Sequence, residues 1–287
     1  MFGRRRLLGE GLVSSYETYD DTSRHFDRTR VAVGVEIILG CLARQPRPLH
    51  ELAVLDAGCG TGAYSHAIIG RVGRIEALDM SQGMRAEARA KMSAEAQAGR
   101  IGFHQGSIGE LPFAAASFDA VMINQVLHHL DDDAGHPAHR RVIGEFARVL
   151  GPGGAVVVNS CTHEQLRHAY WYYHLIPEAG KRMRRRFAPL DALREMLTDA
   201  GFTVRGSFAP LDAVCQGAAY FDGRGPLEKS WRDGDSAWAL AEPDELERAL
   251  NRVRELDDSG KLDDFVARHD ARRAEIGQIT FLFATLG

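Results

Sequence analysis

Short apolar runs alternate with polar, helix-favouring stretches between residues 52 and 159. The runs predict buried strands at Ala53–Leu55, Arg74–Leu78, Ile101–Gln105, Asp119–Ile123 and Ala155–Asn159. Between them, helices are predicted at Ala63–Gly70, Gln82–Ala98 and His139–Leu150. Because strands and helices alternate at this spacing, the pattern predicts βαβ units and a parallel sheet with helices on both faces.

The flanking regions have different patterns. Residues Tyr16–Leu42 are predicted as helical, with apolar side chains at three- and four-residue steps: Val31, Val35, Ile38 and Leu42. After Ser160, a helix is predicted at Leu190–Ala200 and strands at Phe202–Phe208 and Ile276–Ala284. Residues 211–273 are too long for an unstructured loop and are expected to form a helical insertion.

Composition narrows the class of protein. The chain has 287 residues, a net charge of −4 and 45% hydrophobic residues. This balance does not favour nucleic acid or an anionic membrane as a partner. The four cysteines lack a Cys-x-x-Cys spacing and are expected to be free thiols. Without an apparent signal peptide or a long apolar run, a cytoplasmic location is expected.

The first strand runs into a glycine-rich segment, Asp56–Gly62. Glycine tolerates positive φ and has no Cβ, so such a turn lets a nucleotide approach the backbone. Gly58, Gly60 and Ala63 also satisfy the dinucleotide-binding spacing, so the glycines alone are weakly specific.

Asp56 distinguishes a dinucleotide from S-adenosylmethionine as the ligand of this turn. A carboxylate would repel the pyrophosphate of a dinucleotide, whereas S-adenosylmethionine carries a sulfonium and an ammonium. At 4 Å and an effective dielectric constant near 20, the attraction is roughly 4 kcal/mol before desolvation. Alternatively, Asp56 caps the next helix.

Asp79 ends the second predicted strand. A carboxylate there can accept hydrogen bonds from both hydroxyls of a ribose. The alternative is that Asp79 caps the following helix, although Ser81 is better placed for that.

Four motifs together resemble the class I S-adenosylmethionine-dependent methyltransferases, in the UbiE-like or methyltransferase type 11 branch. They are Asp56-x-Gly58-x-Gly60-x-Gly62, Leu78-Asp79-Met80-Ser81-x-x-Met84, Phe118-Asp119-x-Val121 with Leu127-His128-His129-Leu130, and Arg148-Val149-Leu150-x-Pro152-Gly153-Gly154. The resemblance spans about residues 52–159. It implies a seven-stranded Rossmann-like sheet with helices on both faces, and S-adenosyl-L-methionine as the cofactor, with S-adenosyl-L-homocysteine as the product.

The resemblance also implies site residues. The glycines would lie against the methionine part of the cofactor, Asp79 at the ribose, Met80 at the adenine, and Asn124 and Gln125 beside the methyl group. Ser107 stands where many relatives carry an acidic residue. The predicted cofactor-binding residues are Tyr16, Asp56, Gly58, Cys59, Gly60, Gly62, Asp79, Met80, Met84, Ser107, Ile108, Asn124 and Gln125.

Methyl transfer from a sulfonium is an in-line displacement, so the protein must chiefly align the acceptor and exclude water. A general base is not compulsory. The candidate catalytic residues are His128, His129 and Tyr19; the alternative for the histidines is a structural turn. Residues 128–139 contain several His and Asp residues without a recognised metal spacing, and no metal is predicted.

The N-terminal residues 1–50 resemble the helical lid of this branch, through Tyr16, Tyr19, Asp20 and Arg30. An ordinary amphipathic helix is the alternative. The aromatic stretch Cys161–His174 follows the fifth strand, at the sheet edge where open α/β sheets bind ligands. If it is helical, one face carries Leu166, Tyr170, Tyr173 and His174, which line either an acceptor pocket or the core. The predicted substrate residues are Arg30, His163, Tyr170 and Tyr173.

Two other features of the sequence have more than one interpretation. Lys181–Arg186 carries five cations in six residues, which indicates a solvated helix face, an anionic acceptor or, less favoured, RNA. Cys161 and Cys41 suggested a thiophilic acceptor, but nothing in the sequence brings the cysteines together.

The expected division is a lid (1–50), a cofactor-binding core (51–210), an insertion (211–273) and a final core strand (274–287). The expected function is methylation of a small molecule by a monomer or homodimer. The alternatives are a tRNA or protein methyltransferase and a non-methylating protein on the same scaffold.

Overall fold

The computed structural model describes residues 30–130 and 135–287. They form a seven-stranded sheet in the order β3-β2-β1-β4-β5-β7-β6. The strands are β1 Ala53–Ala57, β2 Arg74–Asp79, β3 Ile101–Gln105, β4 Phe118–Asn124, β5 Leu150–Ser160, β6 Phe202–Phe208 and β7 Thr280–Leu286. The first five pair in parallel, whereas β7 is antiparallel to β5 and β6. The predicted Rossmann-like fold class is confirmed.

Helices connect the strands in the described part of the chain. They are α1 Val35–Leu42, α2 Ala63–Ile68, α3 Gln82–Lys91, α4 Ser93–Gln97, α5 Pro137–Val149, α6 His163–His168, α7 Pro177–Arg186, α8 Leu190–Asp199, α9 Lys229–Arg232, α10 Pro243–Asp258, α11 Leu262–Asp270 and α12 Arg273–Ile276. Short 3-10 turns include Leu127–His129, Trp171–His174 and Trp238–Leu240. No described helix is both long enough and apolar enough to cross a membrane.

Alternate residues of the central strands enter two separate cores. Val54, Ala120 and Val157 belong to the core that also contains the aromatic insertion. Leu55, Val121 and Val158 belong to the opposite core, beneath α5 and α8. Since both faces of the sheet are covered, these strands are apolar throughout, which is the pattern expected of a buried parallel sheet.

The chain leaves β1 towards β2 and β3 on one side and returns to β4 on the other. Strand order therefore reverses between β1 and β4. Open α/β sheets bind ligands at the carboxyl ends of strands at such a switch point. Asp56 and Asn124 lie near the carboxyl ends of these two strands.

The predicted helix over Tyr16–Leu42 is too long within the described residues. Only Val35–Leu42 is helical there, and Val31 is 48% exposed. Gly34 precedes the helix with φ 73°, and a Cβ on it would collide with the Phe281 ring. Close packing on β7 therefore places a left-handed turn where periodicity predicted continuous helix.

Among the other boundaries that differ from prediction, two have a clear local cause. The helix over Gln82–Ala98 is divided at Met92, which adopts φ −115° and buries its side chain completely. The last strand begins at Thr280 instead of Ile276, because Ile276 ends α12 and Gly277 turns the chain with φ 67°.

The stretch Cys161–His174 is not one helix. Helix α6 ends at His168, and the chain continues as the 3-10 turn Trp171–His174. Trp171, Tyr172 and Tyr173 are all buried, whereas His174 is exposed. Three consecutive buried side chains cannot share one face of an α-helix. The insertion surrounds the turn, so the predicted common face with His174 is wrong.

Candidate functional site

The glycine-rich loop folds back onto the tip of β2. The backbone N–H groups of Gly58 and Cys59 both donate to the Leu78 carbonyl, at 2.8 and 2.9 Å. Gly58, Gly60 and Gly62 have φ values of 77°, 53° and 76°. Residues with a Cβ rarely adopt this conformation, so glycine is required for the path of the chain from β1 into α2.

The three glycines have different surroundings. A Cβ on Gly58 would lie 2.7 Å from a methyl of Val126, and one on Gly62 would lie 2.6 Å from the Met92 methyl. A Cβ on Gly60 would meet no protein atom within 4 Å. Gly58 and Gly62 thus allow tight packing, whereas Gly60 exposes bare backbone to an opening that a ligand can fill.

Asp79 holds this loop in place. Its Oδ2 accepts from the backbone N–H of Gly60 at 2.8 Å, and its Oδ1 accepts from that of Ser81 at 2.9 Å. Ser81 itself caps α3 by accepting from Met84 N–H, as the sequence suggested. Burial raises the pKa of Asp79, while its backbone donors and Arg85 act in the opposite direction. The predicted contact with a ribose stays a prediction.

Asp56 is 1% exposed and lies in the interior. Its Oδ2 accepts from the Ser65 hydroxyl at 2.7 Å. Desolvation by burial raises the pKa of Asp56 to about 7, and the charge of Asp79 adds to the rise, while the Ser65 hydrogen bond opposes it. A carboxyl that is partly protonated near neutral pH exerts a weaker attraction than the full charge assumed from the sequence. Its contact with a cation stays a prediction.

The residues predicted for the adenine lie beyond the tip of β2. Met80 is half-buried, and Met84 and Ile108 are buried. The Ser107 hydroxyl accepts from Gly109 N–H at 3.2 Å within its own turn. One lone pair of this oxygen is therefore already used, which leaves limited capacity for the adenine amino group.

The carboxyl end of β4 carries a polar network. Gln125 has φ 56°, and its Nε2 donates to Asn159 Oδ1 at 2.9 Å. Asn159 Nδ2 in turn donates to the Tyr64 hydroxyl at 2.9 Å. The Nδ2 of Asn124 is buried and has no hydrogen-bond partner among the described residues. A strained backbone beside an unsatisfied buried donor is typical of a ligand site.

His128 and His129 follow in a 3-10 turn. The His128 ring stacks on Phe187 with centroids 4.4 Å apart, and its Nδ1 has no partner in the described part of the chain. Burial lowers the pKa of His128 well below its usual range. Burial, then Arg186 and Arg30, lowers the pKa of His129 to about 3. Both rings are therefore neutral at pH 7.

The predicted substrate residues have different surroundings. His163 Nε2 is within 2.8 Å of the Phe187 carbonyl oxygen, which makes it part of the support for that ring. Tyr170 and Tyr173 stack with centroids 4.9 Å apart and are buried. Arg30 Nη2 lies 3.9 Å from Asp235 Oδ2. The structure thus brings Arg30 to the aromatic insertion, while substrate contact stays a prediction.

Comparison with known proteins agrees with this arrangement. Residues 55–158 match the family model described as a methyltransferase domain. A demethylmenaquinone methyltransferase of Lactococcus lactis subsp. lactis (strain IL1403) is 36% identical over 141 residues, covering 46% of this chain and 53% of the relative.

Solved structures with the same fold cover more of the chain. A protein of Anabaena variabilis ATCC 29413, described as a methyltransferase from an antibiotic biosynthesis pathway, has a TM-score of 0.69 at 22% identity over 90% of this chain and 100% of its own. The [4+2]-cyclase SpnF has a TM-score of 0.56 at 18% identity, covering 96% of this chain and 99% of its own.

Residues 55–158 are thus similar to the methyltransferase domain of the class I S-adenosylmethionine-dependent methyltransferases. S-adenosyl-L-methionine is the cofactor of this family, and the opening at Gly60 and the free donor of Asn124 are features that fit it. The chain spans about half the length of the curated relatives it matches.

Two residues of the candidate site were not predicted from the sequence. Asp235 is buried and accepts from the Tyr172 hydroxyl at 2.6 Å, while Asn159 links Gln125 to Tyr64. Asp235 lies in the Trp231–Ser236 segment, which the sequence marked only as a turn. Asn159 gave one usable signal, because it is a polar residue at the carboxyl end of an otherwise apolar strand.

Some of the remaining predicted features lie within the described residues and others lie outside them. All four cysteines are free and buried, and burial, followed by the charge of Cys215, raises the pKa of Cys161 to about 12. Tyr16, Tyr19 and Asp20 of the predicted lid, and Asp131–Asp133, lie outside the described residues. Within the described residues, no group of three or more His, Cys, Asp or Glu residues could hold a metal ion.

Proposed function

We propose that this methyltransferase transfers a methyl group to a small-molecule acceptor. The observation that carries the proposal is the Gly60 backbone, which is exposed to an opening and fixed by Asp79 at the β1/β4 switch point. When bound there, S-adenosylmethionine supplies an electrophilic methyl group for in-line displacement, with S-adenosylhomocysteine as the product. The acceptor atom (O, N, S or C) is left open.

The protein's own residues have three tasks in this proposal. Asp79 and the glycine loop hold the nucleoside, and the Nδ2 of Asn124 offers a donor at the methionine end. The aromatic turn Trp171–His174 and the insertion exclude water from the acceptor side. Neutral His128 and His129 can accept a hydrogen bond from a hydroxyl, but their lowered pKa makes them weak bases.

The charges of α7 support a small acceptor over RNA. Lys181 pairs with Glu178 at 2.6 Å, and Arg182 pairs with Glu245 at 3.1 Å. Phosphate contacts require cations that are free to neutralise them. With Lys181 and Arg182 paired and a net charge of −4, the basic run is less suited to a nucleic acid.

The proposal also retains the wider expectations from the sequence. These are a lid over residues 1–50, a core over 51–210 with its final strand at 274–287, and an insertion over 211–273 that helps to close the acceptor site. A cytoplasmic location and a monomeric or homodimeric state belong to the same proposal.

The first experiment is calorimetric titration of the full chain with S-adenosylmethionine and, separately, with NAD. We expect binding of S-adenosylmethionine alone. Asp79→Asn should weaken it at least tenfold (about 1.4 kcal/mol), because the loop loses the carboxylate that accepts from both Gly60 and Ser81.

Asp119→Asn is the matched control. Asp119 accepts from Ala53 N–H at 2.8 Å, near the amino end of β4 and away from the site. This variant should lower stability while leaving cofactor affinity unchanged. Preferential binding of NAD, or equal effects of the two variants on affinity, would contradict the cofactor assignment.

Turnover is then measured as release of S-adenosylhomocysteine with a panel of small phenols, amines, thiols and carboxylic acids. Release that depends on one of these acceptors supports methyl transfer. Cofactor binding without release from any acceptor would favour a different reaction on this fold, which also occurs in a [4+2]-cyclase.

A further inference from the structure

Arg30 has hydrogen-bond donors that the described residues do not use. Its side chain is 23% exposed, and its Nε is buried without a hydrogen-bond partner among those residues. Its Nη2 is 3.9 Å from Asp235 Oδ2, which is longer than an N–H···O hydrogen bond. An unsatisfied buried donor destabilises the folded protein. Such a donor is usually retained where a ligand or water supplies the acceptor.

Asp235 does not satisfy these donors, because its Oδ2 lies 3.9 Å from Nη2 and both of its oxygens accept hydrogen bonds from other groups. Oδ2 accepts from the Tyr172 hydroxyl at 2.6 Å. Oδ1 accepts from Ala237 N–H at 2.8 Å and lies 3.3 Å from the Tyr173 hydroxyl. Asp235 therefore attracts the Arg30 guanidinium by charge, while its hydrogen bonds hold the aromatic residues around it.

The two under-used nitrogens define one edge of the guanidinium plane. Nε–H and one N–H of Nη2 are parallel donors, and this edge binds a carboxylate through two parallel hydrogen bonds. A single phenolate or alkoxide oxygen would satisfy this edge less completely. A planar, two-oxygen anion is therefore the group that fits Arg30 best.

Arg30 faces the acceptor side of the site. Its charge acts on the pKa of His128, Tyr172 and Tyr173. At the glycine-rich loop, by contrast, the cation that acts on the pKa of Asp79 is Arg85. Arg30 thus acts on the aromatic turn, and also on His128 after β4 and on Tyr64 of α2.

Two further unsatisfied groups belong to the insertion that contains Asp235. The Nε1 of Trp238 is buried without a partner in the described chain, and this ring stacks on Tyr172 with centroids 6.0 Å apart. Both amide atoms of Gln216 are buried and likewise unpartnered among the described residues. Indole and amide N–H groups are donors, so the surroundings favour a ligand that presents oxygens as acceptors.

We propose that the acceptor of this methyltransferase bears a carboxylate that pairs with Arg30. The inference rests on the proposed function and names the class of its substrate. Arg30 is then a specificity-determining residue, which orients the acceptor without taking part in bond making.

The test uses the full chain saturated with S-adenosylhomocysteine. Three carboxylates (benzoate, 2-naphthoate and indole-3-carboxylate) and their primary amides are titrated by ligand-observed NMR. Each pair has nearly the same shape, so a difference in affinity reports the charge. We expect at least one carboxylate to bind wild type at least tenfold more tightly than its amide.

Arg30→Met should reduce that preference to less than twofold, and Arg30→Lys should retain only part of it, since lysine has no planar pair of donors. Arg252→Met is the control, because Arg252 lies on the exposed face of α10 and pairs only with Glu255 among the described residues. This variant should keep the full preference. If Arg30→Met does not fold, Arg30→Lys alone tests whether Arg30 causes the preference for carboxylates.

Three results would overturn the proposal. They are the absence of a tenfold carboxylate preference in all three pairs, its full retention in both Arg30 variants, and a tenfold loss of S-adenosylhomocysteine affinity in Arg30→Met. The last would assign Arg30 to the carboxylate of the cofactor. Failure of the proposed function is distinct, because wild type would then not bind S-adenosylhomocysteine at all.

Discussion

Replacing Gly60 by alanine tests the opening beside the glycine-rich loop. Gly60 has φ 53°, and an added Cβ meets no protein atom within 4 Å. Gly99 provides a matched control, since it has φ 68°, an equally open Cβ position and an exposed location between α4 and β3. The two substitutions therefore add the same methyl group in similar backbone conformations.

The cost of folding should be similar for the two variants. A residue with a Cβ in the left-handed conformation costs about 1–2 kcal/mol relative to glycine. At about 2–4 °C per kcal/mol, both midpoints of thermal unfolding should fall by roughly 2–8 °C. Only Gly60→Ala should lose affinity for S-adenosylhomocysteine, by at least tenfold, because its methyl group occupies the space of the ligand.

Calorimetry of both variants, with thermal unfolding of the free proteins, separates the two effects. Equal affinities of Gly60→Ala and Gly99→Ala, at equal stability, would refute the reasoning. The opening at Gly60 would then not be the cofactor site, and the fixed position of the loop would need another explanation.

Three further predictions follow from buried ionisable groups. Because the folded state raises the pKa of Asp56 to about 7, it binds a proton more readily than the unfolded chain. The free energy of unfolding should therefore fall as pH rises from about 4 to about 7, and Asp56→Asn should remove this part of the decline. Glu245→Ala should destabilise the protein by about 2–3 kcal/mol, because its carboxylate accepts from the first N–H groups of α7 and pairs with Arg182. His129 should remain neutral down to pH 5.

Each of these predictions has a direct measurement. Denaturant unfolding between pH 4 and 8 should show a shallower slope for Asp56→Asn; identical slopes would contradict the burial argument. Thermal unfolding should be unchanged in Glu178→Ala, the exposed control for Glu245. In proton–carbon NMR spectra, the His129 signal, assigned with His129→Asn, should not shift between pH 8 and 5. A titration near pH 6.5 would show that this ring is accessible to water.

The fold was largely predictable because its strands are local and apolar on both faces. Ile101–Gln105 and Phe202–Phe208 were predicted with their observed bounds. The errors fall where distant segments meet. Gly34 interrupts the first helix because it packs on Phe281, which lies almost 250 positions away, and no local periodicity reports that contact.

The residues of the candidate site likewise form two groups, one close together in the sequence and one brought together only by packing. Asp56, Gly58, Gly60 and Asp79 lie at strand ends within 24 residues, so two short motifs, the glycine-rich loop and the end of the second strand, identified them. The acceptor side is assembled from Arg30, the Trp171–His174 turn and Asp235, which are far apart in the chain. Side chains on separate elements become neighbours only when the sheet has formed and the insertion has packed onto it.

The sequence by itself thus determined the order of strands and helices, the cofactor family and the residues of the loop. These properties depend on local backbone preference, on burial and on short motifs. Tertiary structure decided that Asp79 holds Gly60, that Asp56 is buried against Ser65, and that the Nε of Arg30 has no hydrogen-bond partner among the described residues. Such facts depend on desolvation and on hydrogen-bond partners from distant elements, which are fixed only by packing in three dimensions.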